Sequence, residues 1–247
     1  IDPSQYPGSP IGPPVNHRIP ALETTDPETD PMEQWEYIGG FDWQFADNMA
    51  VNVRFVYKTL KKTIEDIGII TPEGEEYWHA NPGFGRSKEI LEANGYPNVK
   101  AIRDYMGLDI RLIKRFSNNW TGGVNFTVSK LRGNYSGLTN TDEDDRDSPN
   151  VNRNFDLWWM TFDQSWGDNI GPLQSDRRYS ATIFGSYAFD KEQLNGLLDG
   201  LVVGFTESIL DGLPFSTEVQ LNNIQGYFPF GRGDRGRHPM ATQTDIY

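Results

Sequence analysis

The chain has 247 residues, no cysteine and a formal net charge of −13. Without cysteine it can hold neither a disulfide framework nor a thiolate metal site. So acidic a chain also argues against nucleic acid as a partner, because binding there rests on neutralising phosphates with Lys and Arg. No run approaches the roughly 20 apolar residues of a membrane-spanning helix. Mean hydropathy is −0.61, but that index is blind to β-barrels, whose strands alternate apolar with polar residues and whose loops are polar. Aromatic residues make up 13% of the chain, a composition suited to strands and membrane interfaces rather than disorder.

Residues 1–31 are rich in Pro, Asp, Glu and Thr and carry no strand pattern. Three hairpins follow, at residues 35–61, 105–132 and 179–209. The first run places Trp35, Tyr37, Phe41, Trp43 and Phe45 opposite Glu36, Asp42 and Gln44, the period-two alternation of a strand with one apolar and one polar face. A turn at Ala46–Asn48 leads into Val51, Val53, Phe55 and Tyr57, opposite Asn52, Arg54 and Lys58, with Val56 breaking the pattern. In the second hairpin Met106, Leu108, Ile110 and Leu112 share a face. After Ser117–Asn119, Trp120, Val124, Phe126 and Val128 do the same. The third sets Tyr179, Ala181, Ile183, Tyr187 and Phe189 against Arg178, Ser180, Thr182 and Ser186, and turns less tightly through Asp190–Gly200. Long irregular connections follow each hairpin, at residues 62–104, 133–178 and 210–243, and Thr244–Tyr247 reads as the start of a seventh strand. The first residues show no start Met and no signal segment, so both ends read as cuts in a longer polypeptide.

Short turns at one end and long loops at the other are what a transmembrane β-barrel requires. A soluble antiparallel sheet with one face on a core gives the same alternation. Two features favour the membrane. The runs exceed the usual five or six residues and suit tilted strands of about 9–11 residues crossing a bilayer. Large aromatics also gather beside the short turns: Trp43, Phe45, Phe116, Trp120, Tyr187 and Phe189, where an interfacial girdle places its rings. Burial of Val51, Phe55, Leu108, Val124 and Ile183 in a protein core would reverse this choice.

The strings NPGFG (81–85), KRFSNNW (114–120), LRGNYSGL (131–138), SPNVNRNFD (148–156), GPLQSDRRYS (171–180), PFSTEV (214–219), FPFGRG (228–233) and TQTD (242–245) occur in order. Together they resemble the barrel region of TonB-dependent outer-membrane receptors, specifically the Oar-like group with a carboxypeptidase-regulatory-like domain. The resemblance spans most of residues 32–247 and implies an all-β fold: an antiparallel transmembrane barrel of about 22 strands, plugged by an N-terminal domain. This chain would supply six to seven of those strands. It further implies a Gram-negative outer membrane, with lipid and lipopolysaccharide around the barrel, short turns in the periplasm and long loops outside. Residues 1–31 would end a preceding external loop. The function implied is capture of an external ligand and import, energised by the TonB complex through parts of the chain not present here. A non-transporting adhesive or structural surface barrel is the alternative.

Candidate sites are few, and each has a plain structural reading beside it. The acidic run Asp142, Glu143, Asp144, Asp145 and Asp147 offers oxygen ligands to Ca²⁺, but it lacks an EF-hand glycine and reads more simply as a solvated loop. Trp158, Trp159, Phe162 and Trp166 could stack on a ligand, or pack their own loop. Gly231–Gly236 matches G-x-G-x-x-G without the strand and helix that a dinucleotide site needs. Arg232-Gly233-Asp234 spells a cell-adhesion tripeptide. Asn119, Asn125 and Asn134 fit the glycosylation acceptor pattern, and no modification is expected in a bacterial membrane strand. Ser87–Asn94 followed by Gly95 reads as a short capped helix. His17, His79 and His238 lie far apart and no nucleophile or metalloprotease motif occurs, so no enzymatic activity and no cofactor are expected.

Overall fold

The computed structural model describes residues 24–71, 74–137, 155, 161–162, 169–221 and 225–247. In chain order the elements are β1 (Thr24–Thr25), β2 (Glu33–Ala46), β3 (Met49–Lys62), β4 (Glu65–Thr71), β5 (Gly74–Ala80), α1 (Gly85–Ala93), β6 (Arg103–Ser117), β7 (Trp120–Gly133), β8 (Gly171–Pro172), β9 (Tyr179–Ala188), β10 (Val202–Leu210), β11 (Val219–Leu221), β12 (Gln225–Tyr227) and β13 (Ala241–Ile246). Among the described residues the fold is all-β apart from α1 and short 3₁₀ turns such as Leu194–Gly196.

The main sheet is an antiparallel meander in the order β13-β10-β9-β7-β6-β3-β2, with β8 set beside the end of β7. Its hairpins are β2–β3, β6–β7 and β9–β10. The β6–β7 turn is tight because Asn118 and Asn119 hold φ of 51° and 67°, the left-handed pair that lets a two-residue loop follow the strand twist. The seventh strand also forms, at Ala241–Ile246 against β10.

Register sorts the side chains. One row runs Trp43, Val51, Leu112, Val124 and Ile183, and the next Phe41, Val53, Ile110, Phe126, Ala181 and Ile209. On the opposite face Asp42, Asn52, Arg111, Asn125, Thr182, Ser208 and Gln243 align. The apolar face is not packed on a second sheet among the described residues. Phe41, Phe55 and Phe126 are exposed, and Val51, Leu108, Val124 and Ile183 stay half-buried, so the observation that would have reversed the membrane reading does not occur. The apolar face is interrupted at Glu207. Glu207 lies across from Ile183 on one side and Thr244 on the other, and its carboxylate accepts the Thr244 hydroxyl.

The hydrophobic core lies elsewhere, and it corrects the expectation of an irregular 62–104 loop. That segment builds its own sheet, β1-β5-β4, and the helix α1. Leu60, Ile67, Trp78, Leu91, Val99 and Tyr135 pack there with Phe155 and Phe162. Thr24 and Thr25 pair parallel to Trp78 and His79, which ties the tail before β2 to this cap.

The helix also differs from its expected form. It runs Gly85–Ala93, so Ser87 is not its N-cap but a buried residue within its first turn. Phe84 occupies the N-cap without a capping side chain, and the Asp26 carboxylate accepts the Arg86 N–H at 3.0 Å instead. An acid at a helix start satisfies a free donor and complements the dipole; here it arrives from a distant segment. The C-terminal end is as expected: Gly95 takes φ 75° and the Tyr96 N–H returns to Leu91 O at 2.8 Å, a Schellman-type closure.

Candidate functional site

The polar face carries a ladder of paired groups. Arg54 meets Asp109 at 3.0 Å, and Thr127 Oγ1 donates to the same carboxylate at 2.7 Å. Asn52 donates to Asp42 at 2.8 Å, and Lys58 pairs with Glu36 at 2.8 Å. These groups are exposed or half-exposed, so each pair contributes at most about 1 kcal/mol. They give one face of β2, β3, β6 and β7 a wettable, charged surface.

At the long-loop end the polar groups are more closely interlinked and gather around one buried carboxylate. Asp176 is 1% exposed. Its carboxylate accepts the Leu131 N–H and the Arg237 guanidinium. Arg237 also donates to the carbonyls of Asp176 at 2.8 Å and Gly212 at 3.0 Å. Asp211 accepts from Arg178 Nε at 2.8 Å and approaches Arg237 at 3.5 Å, while Arg177 donates to the Asp211 carbonyl at 2.6 Å. This seam joins the end of β7, the entry to β9, the exit of β10 and the last loop. The Arg178 guanidinium holds the Asp211 carboxyl below its usual range, burial opposing it, and that carboxylate in turn raises Arg178. A shallow cleft of about 110 Å³ opens beside the seam, lined by residues including Pro172, Pro214, Phe215, Phe228 and Arg232.

The neighbouring cap is anchored in the same manner. Asn81 donates to the carbonyls of Thr63 at 2.7 Å and Asp30 at 2.9 Å, and accepts the Asp30 N–H at 2.7 Å. The Lys62 and Lys100 ammoniums lie over the Phe84 ring at 5.3 and 4.6 Å. Asn134 accepts the Ile102 N–H at 2.7 Å and donates to Lys100 O at 2.9 Å. Tyr135 is fully buried, and its phenol oxygen accepts the Thr63 hydroxyl at 3.1 Å. Burial, with the Glu65 charge adding to it, pushes its phenol pKa upward. Gly133 is required where it stands, because a Cβ there would lie 1.9 Å from Ile102 O.

Several motif residues therefore act as braces. Phe162 is 5% exposed and belongs to the cap core, which is the packing role and not an exposed stacking surface. Trp158, Trp159 and Trp166 lie outside the described residues, as do Asp142, Glu143, Asp144, Asp145 and Asp147. No cluster of three metal-ligating side chains occurs among the described residues. Arg232 is buried over the Phe228 ring at 4.2 Å, and Asp234 accepts the Thr217 hydroxyl at 2.7 Å, so the adhesion tripeptide is folded into its own loop. Asn134, with both amide atoms engaged, offers no glycan acceptor. Of the aromatics beside the short turns, Trp43, Phe45, Phe116 and Trp120 are exposed and Tyr187 and Phe189 half-exposed. Trp43–Phe45 and Tyr187–Phe189 pack ring to ring at 5.6 and 5.1 Å. The seam itself was not foreseen. The acid–arginine run Asp176–Arg178 was a visible signal, but its partners Asp211 and Arg237 are remote in sequence.

Taken together, these features define an all-β protein with a two-faced antiparallel sheet, short turns at one end and folded, braced loops at the other. The chain is similar to a Myxococcus xanthus protein named TonB-dependent transporter Oar: the two are 27% identical over 224 residues, 89% of this chain and 19% of that relative. The chain thus spans about a fifth of the relative's length. No protein-family model matches the chain, and no solved structure matches it. The relation is a distant one, to a transporter and not to an enzyme.

Proposed function

We propose that this chain is an inner portion of the barrel of a TonB-dependent outer-membrane transporter of the Oar-like group. The apolar face meets lipid and the polar face lines the lumen. The short turns face the periplasm, and the cap and loops 133–178 and 210–243 form the external surface that receives the ligand. The observation that carries this reading is the coincidence of a register-continuous, two-faced sheet with buried braces concentrated at its long-loop end, in a chain 27% identical to a TonB-dependent transporter. The strands at either edge, β2 and β13, would leave N–H and C=O groups unsatisfied in lipid at several kcal/mol each. Further strands of the same polypeptide are proposed to close them into a barrel of about 22 strands, with a plug and a TonB-contacting segment completing the machine. In this reading the charged ladder hydrates the lumen, and the seam holds the external loops in fixed positions.

The adhesive alternative gains nothing from the tripeptide at Arg232–Asp234, whose charged ends are engaged. The deciding experiment compares solute depletion from a defined medium by cells with and without the gene, with and without a protonophore. Import predicts solutes whose uptake disappears on deletion and on collapse of the proton gradient. Unchanged uptake, with the protein still recovered from the outer membrane of the parent cells, favours the structural barrel.

A further inference from the structure

The apolar face is not uniformly bulky. Gly122 of β7 and Gly185 of β9 stand directly across from one another. With no side chains at these two positions, the face sinks into a groove of about 650 Å³. Trp120 and Tyr187 pair across its short-turn end, Phe205 stands beside Gly185, and Val124 with Ile183 closes the far end. The span from Trp120 to Val124 is about 13 Å at roughly 3.3 Å per residue. That is about half of the apolar band of a membrane barrel, roughly 25 Å, or the depth of one leaflet's chains.

A cation marks the short-turn end. Lys114 lines the groove, is 7% exposed and lies over the Trp120 ring at 3.9 Å. Its ammonium donates to Ser117 O, Ser117 Oγ and Trp120 O at 2.7 to 2.9 Å and reaches Arg115 O at 3.4 Å. All four acceptors are neutral, and no carboxylate pairs with Lys114 among the described residues. A charge held out of water beside an apolar surface is costly unless an opposite charge offsets it. Anionic headgroups at a membrane interface supply that charge.

We propose that the groove is a binding site for one anionic phospholipid of the leaflet on the short-turn side. One acyl chain lies over Gly122 and Gly185, and the headgroup sits beside Lys114. The proposal rests on the barrel reading above. Lipid surrounds every outward strand of a barrel, so the claim is selective retention here and a preference for negative charge.

The test uses the complete native polypeptide in nanodiscs of phosphatidylethanolamine containing a minor fraction of phosphatidylglycerol with a photoactivatable acyl chain. After irradiation, labelled peptides are mapped. Label is expected to concentrate on Trp120–Val124 and Ile183–Tyr187, about tenfold above the neighbouring apolar positions Ile110, Phe126 and Ala181, a ratio equal to about 1.4 kcal/mol. The same probe on a phosphatidylethanolamine headgroup should lose most of that excess. Val124→Trp, which fills the groove without touching either glycine, and Gly185→Ala, whose methyl would stand 3.3 Å from the Phe205 ring, should each remove it. Even labelling of all outward positions, or an excess indifferent to headgroup and to both variants, overturns the proposal. Absence of label from every apolar-face position overturns the barrel reading instead.

Discussion

The main sheet and the loop cap use the same kinds of residue to opposite ends. In the cap, Trp78, Leu91, Val99, Tyr135 and Phe155 converge from β5, α1, the 96–102 connection and two later loop segments until water is excluded. In the sheet, Phe41, Phe55, Ile110 and Phe126 stand in register on one side and stay at least partly open. The cap therefore carries its own stability, through burial and the interior hydrogen bonds of Asn81 and Asn134. The sheet leaves its apolar side to be completed by whatever solvent surrounds it. Period-two alternation predicts the second behaviour, whereas convergence of residues far apart in sequence produces the first.

The largest effect that would sharpen this contrast is expected in the cap. Trp78→Ala should cost about 3–5 kcal/mol of local stability, read as faster amide exchange across β4, β5 and α1 with β6 and β7 unchanged. If the strands loosen equally, cap and sheet are one cooperative unit and the distinction fails. Next is the seam: Arg237→Met leaves Asp176 buried without its cation, at about 3 kcal/mol or more. Proteolysis within 210–243 should quicken while the sheet persists.

A charge on the apolar face probes the sheet directly. Ile110→Arg should destabilise the membrane-inserted protein by about 2–4 kcal/mol, measured by reversible unfolding from liposomes, whereas Asn125→Arg on the polar face should change it little. Equal costs would mean that both faces meet the same medium. The smallest effect concerns acid. Arg178 holds the Asp211 pKa below the reference value of 3.8, so the unfolded chain takes up this proton before the folded one does. The contribution is complete above that reference and declines as pH falls through the folded pKa. Loop protection should therefore weaken in that acid window, and Asp211→Asn should remove that part of the dependence.

Much of the sheet was legible because a strand's faces are written in adjacent letters: Val124-Asn125-Phe126-Thr127 states its own geometry. Hairpin boundaries followed from Asn118 and Asn119 for the same local reason. The cap was not legible. Its helix is capped by Asp26 rather than by Ser87, the nearest plausible residue, and nothing in the local sequence announces a carboxylate from another segment. Phe162 reads from sequence as loop packing or a stacking surface, and its cluster with Tyr135 and Phe155 makes it core. The seam has the same character, since Asp176, Asp211 and Arg237 become partners only after β7, β9 and β10 are aligned. Glu207 interrupts its face because register sets it opposite Ile183, and Thr244 accounts for its hydrogen bond. The pairing of Gly122 with Gly185 is likewise a product of register and not of either strand alone.

The central claim is that the two faces of one strand meet two different solvents. Single cysteines can be placed along β7 at Val124, Asn125, Phe126, Thr127 and Val128 in the complete protein, freed of any cysteine outside this chain and reconstituted in liposomes. The account predicts that a water-soluble maleimide labels positions 125 and 127, and that a lipid-dissolved quencher reaches probes at 124, 126 and 128. Water-soluble labelling of all five positions, or quenching that ignores the alternation, would contradict it.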